Sequence, residues 1–168
     1  FNVEKLQWIN QQHLRKLDGA SIAARVKPLL LAAGLDWVDD GYLARVIAAM
    51  KDRLSSFDDF TSFGRYFFAD PERYDEAARG KNWSAHSAGH LAALARDLEA
   101  IADFTEGPLE QAVTGLAARS GVGAGKIIHA VRLALSGIAI GPGLYELMAV
   151  LGKETVLRRL RKAVEVLG

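Results

Sequence analysis

Apolar side chains recur along this chain three and four positions apart, and no stretch alternates with a strict period of two. The first spacing lays a stripe along a helix and the second would stripe a strand, so the pattern predicts an all-α protein. Asn2 to Leu17 reads as a helix, with Asn2 placed to cap it and Asp18-Gly19 to stop it. Ser21 is placed to cap a second helix, in which Ile22, Val26, Leu29, Leu30 and Ala33 share a face, and Gly34 ends it. Pro28 lies inside that pattern and is expected to kink or break it, because proline lacks the N–H and crowds the preceding turn. A third helix runs from about Asp39 to Leu54, with Leu43, Val46, Ile47, Met50 and Leu54 on one side.

The aromatic run Phe57, Phe60, Phe63, Tyr66, Phe67 and Phe68 has the spacing of core residues, although aromatics beside basic residues could also stack on bases. Asp70-Pro71 opens a short acidic helix ending near Gly80, and Ser84 to Ile101 carries the stripe Leu91, Leu94, Leu98 and Ile101. Thr105 caps the next helix, with Pro108 in its first turn and Gly121 as its stop. From Gly123 onward, three helices are separated by stops at Gly137 and Gly152, and the last buries Val156, Leu160, Val164 and Leu167. The expected fold is therefore two consecutive helical subdomains, residues 1–68 and 69–168, with about nine or ten helices.

Charge changes this picture only when it is resolved along the chain. The net charge of +1 would not mark a nucleic-acid binder, but residues 1–53 carry +2, residues 54–121 carry −5 and residues 122–168 carry +4. An acidic middle between basic ends could orient a polyanion, and charge runs are also ordinary solvated faces. The absence of cysteine rules out disulfides and cysteine-ligated metals and fits a cytoplasmic protein. No apolar run approaches bilayer length, so no membrane is expected, and the opening FNVEKLQW has no signal-peptide pattern. The chain does not begin with Met and is expected to be a piece of something longer.

No constellation for catalysis stands out. His86 and His90 have a spacing that zinc sites use, but the Glu of HExxH and a third ligand are missing, so no metal is expected. Gly123, Gly125 and Lys126 fail the spacing of a phosphate-binding loop. No nucleophile–base pair or carboxylate pair is visible. What remains is a surface: Arg132, the rigid turn Gly141-Pro142-Gly143, Leu144 and the basic tail Arg158, Arg159, Arg161 and Lys162. An arginine supplies parallel donors, Pro and Gly fix a backbone that can approach closely, and Pro142 and Leu144 offer apolar platforms. Unpaired bases of an RNA loop are read by such groups. A helix–helix turn beside a surface arginine would look the same. A helical protein–protein module and a helix-turn-helix DNA binder, with RRLRK as its recognition face, remain alternatives.

The run GAGKIIHAVRLALSGIAIGPGLYELMAVLGKETVLRRLRKAV, from Gly123 to Val164, resembles the C-terminal end of bacterial-type glutamyl-tRNA synthetases. It holds, in order, a basic residue, hydrophobics, Arg, a Leu-Ser-Gly turn, Pro-Gly-Leu-aromatic-Glu and Leu-Gly-Lys-Glu. Lys5, Trp8, Asn10, His13 and Arg15 match the family's Lys-Leu-x-Trp-x-Asn segment. The resemblance covers nearly the whole chain and implies the anticodon-binding region of a glutamate–tRNA ligase. It implies glutamate tRNA as partner, with anticodon contacts from Arg53, Arg132, Gly141, Pro142 and Leu144, and backbone contacts from Lys5, Lys51 and Arg158. It also implies a catalytic domain earlier in the same chain that uses ATP with Mg, and no cofactor or activity in this part alone. Arg53 matches the family residue that inspects the third anticodon base, cytosine in glutamate tRNA and guanine in glutamine tRNA. That match implies a discriminating enzyme. Ile140-Gly141 precedes Pro142 where the family often has a polar residue, so a side-chain hydroxyl contact there is lost.

Overall fold

A computed structural model of the chain describes residues 2–168. Among those residues it is all-helical, with nine α-helices, three short 3-10 turns and no strand. The backbone divides into two compact units, residues 1–69 and 70–168.

The first unit contains α1 (Val3–Lys16), α2 (Gly19–Ala32) and α3 (Asp40–Met50), followed by 3-10 turns at Lys51–Arg53, Phe57–Phe60 and Arg65–Phe67. Asn2 caps α1 by accepting from the Lys5 amide at 3.1 Å. The cap of α2 is Asp18, not Ser21: Asp18 Oδ1 accepts from the Ser21 amide at 2.7 Å. Both residues are cap formers three apart, and the carboxylate reaches the first-turn amide, so α2 starts earlier and Asp18-Gly19 begins a helix as well as ending one. Pro28 does not break α2, which runs on to Ala32. The amide that proline lacks would have bonded the carbonyl of Ala24, and both residues are exposed, so water can take that carbonyl.

Ile22, Val26 and Leu30 of α2 pack against Leu43, Val46, Ile47 and Met50 of α3. The aromatic run closes this core, with Phe60, Tyr66, Phe67 and Phe68 buried and Phe57 and Phe63 half-buried. Trp8 is 61% exposed on α1. Leu14 is the one buried residue among those of α1.

The second unit contains α4 (Glu76–Asn82), α5 (Ser87–Glu99), α6 (Glu106–Ser120), α7 (Ala124–Ser136), α8 (Leu144–Leu151) and α9 (Lys153–Leu167). α4 starts at Glu76 and not at Asp70, because Asp75 accepts from the Ala78 amide at 2.7 Å and fixes the first turn there. α5 and α9 form the most extensive helix pair, α6 packs on α5, α7 and α8, and α7 packs on α4, α5, α6 and α9. α7 is the central helix: Ile127, Ala130, Val131, Leu133, Ala134 and Leu135 are all buried, so its C-terminal half has almost no solvent face. The left-handed residues Gly121 and Gly137 end α6 and α7.

Candidate nucleic-acid interface

In the first unit, Arg53 projects from the 3-10 turn that follows α3, and it is exposed while its neighbour Leu54 is fully buried. That turn is fastened to α1. Gln11 Nε2 and Arg15 Nη2 both donate to the carbonyl of Asp52 at 3.0 Å, and Arg15 also lies 3.7 Å from the Asp52 carboxylate. Lys51 donates its ammonium to the carbonyl of Leu17, the C-cap of α1. Lys51 thus serves the internal structure, and the side chain presented outward by the same turn is Arg53. Behind it, Asp59 Oδ2 accepts from the amides of Ser55 and Ser56 at 2.7 and 2.9 Å, which fixes the chain that follows. Lys5 is exposed on the first turn of α1.

In the second unit, the candidate residues lie on α7, α8 and the turn that joins them. Arg132 is half-buried, with its Nη1 fully enclosed, one turn before the end of α7. Ser136 Oγ donates to the Arg132 carbonyl at 2.8 Å and accepts from the Ile138 amide at 3.2 Å, so it finishes the helix and starts the turn. Gly137 is required there twice over. Its φ is +76°, and a Cβ would stand 2.5 Å from the Arg73 carbonyl. The Gly137 carbonyl accepts from the Asp75 amide at 2.8 Å, which ties the turn to the strap before α4.

The rest of the turn is solvent-facing in part. Ile140 is exposed, Gly141 has φ +154°, and Pro142 is buried. Leu144 starts α8 with only 4% of its surface exposed, so it anchors the turn in the core and leaves the backbone of 139–143 as the part a ligand can reach. Tyr145 is half-buried, and burial pushes its phenol above the ordinary value.

The basic tail is largely engaged within the unit. Arg158 makes a two-pronged bond to Asp70, through Nε to Oδ2 at 2.9 Å and Nη2 to Oδ1 at 2.8 Å. Arg159, with 3% of its side chain exposed, donates to Asp70 Oδ1 at 2.8 Å and to the Leu135 carbonyl at 2.6 Å. The Arg158 hydrogen bonds, reinforced by those of Arg159, hold the Asp70 carboxyl well below the usual carboxylate range against the opposing effect of burial. Arg161 pairs with Glu99, and Lys162 donates to the Pro71 carbonyl at 3.1 Å. Lys153, opening α9, donates to the carbonyls of Glu99 and Ile101. RRLRK is therefore first a clamp on the unit, and Arg158 faces solvent through a guanidinium already committed to Asp70.

His86 and His90 lie with ring centroids 6.4 Å apart, and among the described residues no group of three or more His, Cys, Asp or Glu is arranged to hold a metal ion. Among the same residues no helix is long and apolar enough to cross a membrane.

Residues 21–164 match the family model described as an anticodon binding domain. The chain is 40% identical to a glutamate–tRNA ligase of Chlorobium phaeobacteroides over 177 residues, covering 100% of this chain and 35% of that one. It is 38% identical to the corresponding ligase of Chloroherpeton thalassium, covering 99% of this chain and 35% of the relative. Among solved structures it is similar to a glutamate tRNA ligase from Elizabethkingia meningosepticum, crystallised in complex with its amino acid. The TM-score is 0.90 at 33% identity, with 100% of this chain and 33% of that chain covered. The chain spans about a third of the length of the curated relatives it matches.

Proposed function

We propose, from the premise that the chain belongs to the anticodon binding domain family, that it is the tRNA-reading part of a glutamate–tRNA ligase. The observation that carries the reading is end-to-end similarity to about a third of such ligases, in a chain whose candidate residues sit on braced turns. The reading places ATP and Mg in a catalytic domain elsewhere in the same protein, and the protein in the cytoplasm. The exposed apolar residues Val3, Leu6 and Ile9 on α1 support a neighbouring domain that packs there.

Two contacts belong to this proposal, and the outward-facing Arg53 and the half-buried Arg132 support them. Arg53 meets the third anticodon base: cytosine offers adjacent O2 and N3 acceptors to a guanidinium, whereas guanine opposes its donors with donors. Unpaired buried donors are costly, so the arginine favours glutamate tRNA over glutamine tRNA. In the second unit, Arg132 and the backbone of the Gly141-Pro142 turn contact anticodon bases, with Leu144 holding the turn from beneath. Lys5 and Arg158 add backbone contacts where their side chains reach solvent.

The test is a binding titration of the chain against glutamate tRNA, glutamine tRNA and a DNA duplex. Selective binding of glutamate tRNA is expected, and Arg132→Ala should weaken it by roughly 1–3 kcal/mol with unchanged circular dichroism. Equal binding of the two tRNAs refutes the discriminating role, and preference for the duplex refutes the reading as a whole.

A further inference from the structure

We propose that a cavity between α4, α5 and α7 of the second unit holds one nucleotide of a bound RNA strand, with its phosphate among Lys81, Lys126 and three imidazoles and its base against Trp83. The inference rests on the tRNA-binding reading and goes beyond it, because neither Arg132 nor the Gly141–Leu144 turn lines this space.

The cavity has a volume of about 440 Å³, the size of a small-ligand site. Two lysines and three histidines line it, namely Lys81, His86, His90, Lys126 and His129, and no Asp or Glu does. That imbalance is unusual in this unit, where the cations of α9 are spent on Asp70, Glu99 and backbone carbonyls. Among the described residues, by contrast, no hydrogen bond or ion pair engages the side chains of Lys81, Lys126 or His129. All three are exposed, so a ligand can reach them. Like-signed groups around a concavity focus the field, and a phosphate answers it with several acceptor oxygens.

The backbone points the same way. α5 and α7 both start at this cavity, and neither has a side-chain hydrogen bond at its N-cap. The Ser87 amide of α5 donates to the Ser84 carbonyl and the Lys126 amide of α7 to the Gly123 carbonyl, so what each helix offers an anion is its remaining first-turn amides and its positive dipole end. Gly125, in the first turn of α7, lines the cavity without a side chain in the way. Among the described residues, no three His, Cys, Asp or Glu, these histidines included, are arranged to hold a metal ion. Trp83, the half-buried C-cap of α4, decides between a bare anion and a nucleotide: an indole fixed beside a phosphate site is a stacking platform that any base can use.

The experiment is a filter-binding titration of the chain with glutamate tRNA across several salt concentrations. It compares wild type with Lys81→Gln/Lys126→Gln, Lys81→Arg/Lys126→Arg, Trp83→Leu and Arg132→Ala, each checked by circular dichroism. The glutamine pair should weaken binding about tenfold and reduce the slope of log affinity against log salt by about one, while the arginine pair restores both. Trp83→Leu should weaken binding about tenfold with the slope unchanged. If the glutamine pair and Trp83→Leu match wild type while Arg132→Ala weakens binding, the cavity assignment is overturned and the tRNA reading stands. If wild type itself does not bind tRNA, both are overturned. A titration with uridine monophosphate alone separates the sources of phosphate. A shift of the Trp83 indole resonance, in a chain whose tRNA affinity ignores all the cavity variants, would mark a free-nucleotide site and overturn the RNA assignment.

Discussion

Replacing Asp70 with Asn should destabilise the second unit by about 3 kcal/mol at neutral pH. The substitution keeps the shape and one acceptor oxygen but removes the charge opposite two guanidiniums. Arg158 contributes little to the loss: half of its side chain is exposed, and such pairs are typically worth about 0–1 kcal/mol after solvent screening. Arg159 dominates, because only 3% of its side chain is exposed and its charge is balanced there by Asp70. Removing one charge of a buried pair costs about 3–5 kcal/mol, and we take the lower end because 29% of the Asp70 side chain is exposed and Asn keeps an acceptor oxygen. For a unit of this size that is roughly 12–24 °C in melting temperature. The assay is urea and thermal unfolding followed by circular dichroism.

The pH dependence has a definite sign. The folded Asp70 carboxyl sits below its unfolded value of 3.8, so its contribution is fully present above that value and is lost as pH falls toward the folded one. The gap between wild type and Asp70→Asn should therefore be constant from about pH 5 upward and shrink below about pH 4. A gap under about 1 kcal/mol at pH 7, or one that does not narrow in acid, would refute the reasoning.

Gly137→Ala should cost about 2–3 kcal/mol in urea unfolding, since the left-handed backbone and the Arg73 carbonyl 2.5 Å away both oppose a Cβ. Pro28→Ala should stabilise the first unit by about 1 kcal/mol, because it restores an amide in an unbroken helix; a loss of stability would show that Pro28 does more than sit there at a cost. Placed in the proposed ligase, Arg53→Gln should raise charging of glutamine tRNA relative to glutamate tRNA, as glutamine can both donate and accept. An unchanged ratio of the two efficiencies would leave Arg53 as a helix-end residue only.

Local patterns in the sequence reached the helices and most of their ends. The Asn2 cap, the glycine stops at 121 and 137 and the aromatic core of the first unit depend on neighbours within one or two turns. The errors arose where two local signals competed or the partner was remote. Asp18 and Ser21 are both cap formers, and only backbone geometry chooses between them. α3 ends at Met50 and not Leu54, where the chain tightens into the turn clamped by Gln11, Arg15 and Lys51. RRLRK looked like a binding face because its counter-charge, Asp70, lies 88 positions earlier in the chain. Lys81, Trp83, Lys126 and His129 are scattered over nearly fifty positions of sequence, and no spacing rule unites residues that only the packing of α4, α5 and α7 gathers into one cavity.

The Asp70 clamp also sets how the second unit bears load. Asp70 and Pro71 are its first residues, and they are gripped by Arg158, Arg159 and Lys162 on its last helix. A pull arriving through the backbone at Ala69 is passed into α9, and through the long α5–α9 seam into the body of the unit, before it can peel the strap that leads to α4. The first residues of the unit and α9 are thereby tied together by charge, and the turn at Gly137 rests on the same strap through the Asp75 amide.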